Sequence, residues 1–138
     1  MIIDSEYSLI NTEALPHKKL IGLMKDRSDS FMLVSPNESF VKGASEEILD
    51  DICPSLKEYC ISRQWVNKWA GTKSGRKAPA CVFSMNEKSA DYLKRLGSLF
   101  ALKDQTDISF FSGELCLCYT VSHEGMCFVR TELLKELN

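Results

Sequence analysis

No apolar run in this chain approaches the roughly 18 residues that cross a bilayer, the longest candidates being strand-sized pieces such as Phe31 to Val34. A membrane-spanning helix is therefore not expected. The first residues, Met1 to Asn11, carry Asp4 and Glu6 and lack the basic and apolar stretches of a secretory leader, so the expected compartment is the cytoplasm. Glycine is sparse, and Gly71-Thr72-Lys73-Ser74-Gly75-Arg76-Lys77 does not have the spacing of a phosphate-cradling loop. No Gly-x-Ser-x-Gly surrounds any serine, which removes the usual setting of a serine nucleophile. Internal repeats, heptads and low-complexity tracts are missing as well, and no cofactor is expected.

Net charge is small, 17 basic against 19 acidic side chains, for a formal charge of −2. The molecule as a whole lacks the positive field of a general nucleic-acid binder, so charged recognition has to come from local patches. What the chain does have is the make-up of one globular domain: 138 residues, 44% hydrophobic and 26% charged. Its six cysteines, at 53, 60, 81, 116, 118 and 127, read as free and mostly buried thiols in a reducing compartment.

Local patterns predict an α+β domain with a mostly antiparallel sheet of five or six strands and three to five helices packed on it. Tyr7 to Ile10 is an extended opening segment. Leu20, Ile21, Leu23 and Met24 give one face of a helix running from Pro16 to Arg27. Ser30 to Ser35 reads as a buried strand closed by Pro36-Asn37. Ser45 is an N-cap candidate with Glu46 and Glu47 in the first turn, and Pro54 opens a second short helix with Leu56, Tyr59 and Cys60 inward. Gln64 to Ala70 reads as a strand whose odd positions bury aromatic rings, followed by a flexible basic loop from Gly71 to Lys77.

Ala80 to Ser84 is a further strand, and Asn86 caps a helix through Ala90, Leu93, Leu96 and Leu99. Gly97 lies inside that pattern at a cost of about 1 kcal/mol against Ala if it is interior. Asp107 to Phe111, Leu115 to Val121 and Met126 to Val129 form an antiparallel meander joined by Ser112-Gly113-Glu114 and His123-Glu124-Gly125. Thr131 is a cap candidate for a terminal helix, Glu132 to Leu137.

Three constellations carry possible chemistry. Cys116, Cys118, His123, Glu124 and Cys127 could make a zinc site or a Cys-His nucleophile, and so a small hydrolase or metal-dependent enzyme. The Cys-x-Cys is embedded in apolar sequence, which fits a buried strand better, and no metal or catalytic residue is assigned. His17, beside two lysines, reads as solvated.

Arg63, Lys68, Lys73, Arg76 and Lys77 occur without an acidic neighbour and alternate with Trp65 and Trp69, the combination that holds single-stranded nucleic acid by stacking and phosphate contact. The commoner meaning is two core tryptophans and a solvated loop. Against it stands an acidic cluster, Glu38, Glu46, Glu47, Asp50, Asp51 and Glu58, suited to a basic protein partner because complementary charge speeds association. Glu46, Glu47, Asp50 and Asp51 are the first candidates for partner binding, with Lys73, Arg76 and Lys77 as a second contact surface.

Trp69-x-Gly71-Thr72, Asp107-Ile108-Ser109-Phe110-Phe111 and Thr120-Val121-Ser122-His123-Glu124-Gly125 resemble stretches of small bacterial proteins encoded near polymorphic toxins. Some of those are immunity proteins of contact-dependent growth inhibition systems. The resemblance covers the second half of the chain, and it implies a cytoplasmic domain whose partner is a cognate toxin that it binds and blocks. It transfers no functional residue.

Overall fold

A computed structural model describes residues 6–36, 54–102 and 105–137. The Ser45 helix start, the Ile2-Ile3 pair and the four acidic candidates lie outside them. Seven strands make one sheet, β1 (Tyr7–Ile10), β2 (Ser30–Val34), β3 (Cys60–Trp69), β4 (Thr72–Ser84), β5 (Asp107–Ser112), β6 (Leu115–Val121) and β7 (Met126–Arg130), ordered β1-β7-β6-β5-β2-β4-β3. Every neighbouring pair is antiparallel. The α+β expectation holds, with one strand more than expected. The extra strand is β1, whose four residues pair with β7 from Tyr7↔Arg130 to Ile10↔Cys127. So short a segment carries too little alternation to be counted from sequence alone.

The helices α1 (His17–Arg27), α2 (Glu87–Arg95) and α3 (Leu134–Leu137) accompany short 3₁₀ turns, one of them Pro54–Tyr59. The main core lies between the helices and one face of the sheet, where Leu20, Ile21 and Met24 of α1 and Leu93 of α2 meet Phe31, Phe83 and Phe110. Phe31 stacks on Phe83 with ring centroids 5.3 Å apart, and the cross-strand register places Phe110 beside it. Burying rings of this size is the main stabilising term of the domain.

Asn86 caps α2 as expected, its side chain accepting from Ser89 N while Ser89 Oγ accepts from Asn86 N. The helix is shorter than the leucine spacing predicts. It ends at Arg95, and Gly97 sits just beyond it with φ +76°, so this glycine terminates the helix and does not weaken its interior. Leu99 keeps its core position from a separate 3₁₀ turn. His17 is not simply solvated: its Nε2 donates to the Leu93 carbonyl at 2.7 Å, joining the start of α1 to the last turn of α2. Thr131 does not cap the terminal helix either, because its hydroxyl lies 2.8 Å from Ser8 Oγ and bridges to β1.

The largest difference from expectation concerns Gly71 to Lys77. Only Ala70-Gly71 turn, and Thr72 to Lys77 belong to the long strand β4. Lysine, serine and glycine have low strand propensity, and pairing with β3 overrides it. The pairing is irregular. Between Val66↔Ala78 and Lys68↔Lys73 the single residue Asn67 opposes the four residues Ser74 to Lys77, which are pushed outward as a large bulge. The same bulge breaks the two-residue alternation of β3, so Val66 packs with buried Trp69 while Trp65 is only half-buried.

Candidate functional site

Among the described residues, the sheet face opposite the main core is covered only in part. The β2–β4 ladder ends at Val34↔Ala80 with Ser35 N still donating to the Pro79 carbonyl, and the hairpin of β4 with β3 reaches back over this face to Asp107 and β6. Met32, Val34, Trp69, Ala78 and Ala80 form a second, smaller core beneath it. Two devices lock the tip down. Trp69 Nε1 donates to Asp107 Oδ2 at 2.9 Å, and the other carboxylate oxygen accepts from Ser122 N at 2.7 Å. A buried carboxylate is tolerated here because both oxygens are hydrogen-bonded. Thr120 Oγ1 accepts from Ile108 N at 3.0 Å, and Ser122 Oγ donates to the Thr106 carbonyl at 2.9 Å.

The second device is contact. Gly71, with φ +78°, lies so close to β6 that a Cβ there would meet Tyr119 Cε2 at 2.5 Å and Val121 Cγ2 at 3.0 Å. Only glycine meets both demands, a left-handed backbone and no side chain. Three stretches far apart in sequence, Trp69 to Thr72, Asp107 to Phe111 and Thr120 to Gly125, thus converge on one lock built from Trp69, Gly71, Asp107, Thr120 and Ser122. Its role is to hold the arm.

Beside the lock the arm leaves a groove of about 550 Å³, floored by Tyr7, Met32, Phe111, Cys116 and Tyr119 and walled by Lys68 to Gly71. Its aromatic side is fixed in place. Tyr7 donates its hydroxyl to the Cys116 carbonyl at 2.8 Å, the Tyr7 and Tyr119 rings meet edge-on at 5.3 Å, and Tyr119 stacks on Phe128 at 5.0 Å. The Arg130 guanidinium sits 5.6 Å above the Tyr7 ring. Sequence alone gives Asp107, Tyr7 and Tyr119 no site role. An aspartate opening an otherwise apolar strand is the one signal available, since Asp is depleted in strands unless a partner awaits it.

The cysteine and histidine group separates. Cys118 and Cys127 face the helices, their sulfurs 3.7 Å apart and fully buried, whereas a bulge between Phe110 and Phe111 turns Cys116 toward the groove. Burial pushes the Cys116 thiol up to about 11, and the neighbouring Cys127 thiol together with burial raises Cys118. Neither is a ready thiolate nucleophile at neutral pH. His123 and Glu124 share the exposed turn before β7, with Nε2 3.8 Å from the carboxylate. Among the described residues no three His, Cys, Asp or Glu side chains gather as a metal-holding group.

Lys73, Arg76 and Lys77 stand exposed on the arm, Arg76 and Lys77 within its bulge, where Ser74 Oγ accepts from Arg76 N at 3.1 Å. Lys68 lies directly across from Lys73. Among the described residues these four cations have no ion-pair partner. Comparison of the chain with protein-family models, with curated proteins and with solved structures finds no match.

Proposed function

We propose that this protein is a non-enzymatic binding domain, an immunity protein that binds a cognate bacterial toxin domain in the cytoplasm and blocks it sterically. The observation that carries the reading is the arm. Lys73, Arg76 and Lys77 are held exposed on a hairpin that Trp69, Asp107 and Gly71 fasten to the sheet, so charge is presented in a fixed place. A rigid charged surface loses little freedom on docking and steers its partner electrostatically. Glu46, Glu47, Asp50 and Asp51 provide a contact of opposite sign, assigned on sequence alone.

The position of the thiols supports binding over hydrolysis: two are turned into the core, and the third is held protonated beside the groove. Burial of Trp69 and its bond to Asp107 weigh against stacking of nucleic-acid bases on that ring. The test is co-expression with the product of the adjacent reading frame. A complex that survives purification, together with relief of the growth arrest that product causes, is the expected result. No complex at about micromolar concentration ends the reading.

A further inference from the structure

The groove beside the arm has an apolar floor and a cation, Lys68, on its wall, with Lys73 paired directly across from Lys68 on the next strand, and that combination specifies a ligand. The cross-strand register places Met32, Ser109, Tyr119, Phe128 and Leu9 in one row across the sheet, so the floor continues from the groove to Leu9, which is 59% exposed on the edge strand. Apart from the buried Ser109 the row is apolar or aromatic, and such a strip ending in an exposed aliphatic side chain marks a contact surface. Above it, residues 60 to 84 carry Arg63, Lys68, Lys73, Arg76 and Lys77 and no acidic residue, in a chain whose formal charge is −2. Lys68, at the wall of the groove, faces Lys73 directly. Like charges opposite one another destabilise a strand pair, so this arrangement does not serve the fold.

We infer that the groove receives an acidic segment of a protein partner that inserts an aromatic or aliphatic side chain between the arm and the floor. The inference rests on the binding role proposed above and adds the chemistry of the bound segment. The volume, about 550 Å³, falls within the range of small-ligand sites and admits one large side chain with its backbone. The carboxylates of the segment would then meet Lys68 and Lys73, relieving their mutual repulsion. A nucleic acid would bring the same negative charge, but Trp69 is only 7% exposed with its indole N–H held by Asp107, and Trp65 is half-buried, so neither ring offers a full open face for a base.

The test uses the intact protein and a fluorescently labelled random copolymer of glutamate and tyrosine, followed by anisotropy. Wild type should bind, with affinity falling as salt rises. Joint Lys68→Glu and Lys73→Glu replacement should weaken binding at least about tenfold, Leu9→Ser should weaken it less, and Lys18→Glu with Lys19→Glu on α1 should leave it unchanged. All these side chains are exposed, so the fold is retained, as circular dichroism would verify. Equal loss in the α1 variant, no loss in the arm variant, or tighter binding of a single-stranded oligonucleotide overturns the inference. Failure to bind the copolymer while the toxin complex forms overturns it alone; copolymer binding without any toxin complex overturns the immunity role alone.

Discussion

Trp69 and Asp107, 38 residues apart in sequence, are joined by an indole-to-carboxylate hydrogen bond of 2.9 Å inside the protein. This bond fastens the tip of the β3–β4 arm to the start of β5, and the groove exists because the arm is held there.

Replacing Trp69 by Phe keeps most of the ring but removes the donor, leaving Asp107 Oδ2 buried and unpaired. The expected loss is about 1–3 kcal/mol of unfolding free energy, measured by urea denaturation. Asp107→Asn should cost a similar amount, and the double variant should cost less than the sum of the two. Strict additivity would show that the two side chains do not communicate.

Gly71 and Gly113 form a matched pair for a second test. Both have positive φ, +78° and +59°, but a Cβ at Gly113 meets nothing within 4 Å while one at Gly71 would collide with Tyr119. Gly113→Ala should therefore cost only the backbone penalty, about 1–2 kcal/mol. Gly71→Ala adds overpacking and should cost about 1–3 kcal/mol more, with faster amide exchange along the arm. Equal losses at the two positions would mean that the tip does not rest on β6.

Burial raises the folded-state pKa of Cys116 from an ordinary 9.0 to about 11. A raised value favours the protonated form in the folded state, so its contribution to stability is complete below pH 9 and is lost as pH climbs toward 11. Unfolding curves between those limits should show this decline, and Cys116→Ala should make it shallower, leaving the part that comes from the raised Cys118 thiol. Alkylation of Cys116 in the folded protein at pH 8 should be slower than in urea; labelling at the rate of a free thiol would contradict the burial.

Asn86 accepts from Ser89 N at 2.9 Å at the start of α2. Asn86→Ala should destabilise the protein by about 1 kcal/mol, within the usual 0.5–2 for lost caps, and Asn86→Asp should retain most of the stability. A neutral alanine variant would show that the cap is dispensable.

Much of the fold is legible in the chain because it is encoded locally. The apolar face of α1, the Asn86 cap, the glycine-bearing turns of the meander and the buried run Phe31 to Val34 each depend on residues within a few positions of one another. The site is much less legible. Cys116, Cys118, His123, Glu124 and Cys127 are near neighbours in sequence, yet strand alternation and one bulge send Cys116 to the opposite side of the sheet from Cys118 and Cys127.

By itself, then, the sequence determined an α+β domain, most of its strands and its three described α-helices, since periodicity and capping act over a single turn or strand. Only the tertiary structure decided that Gly71 to Lys77 is part of a curved arm and not a free loop, that Gly97 ends a helix, and that Trp69 is spent on Asp107. Those outcomes depend on contacts between segments tens of residues apart, whose pairing no local pattern records.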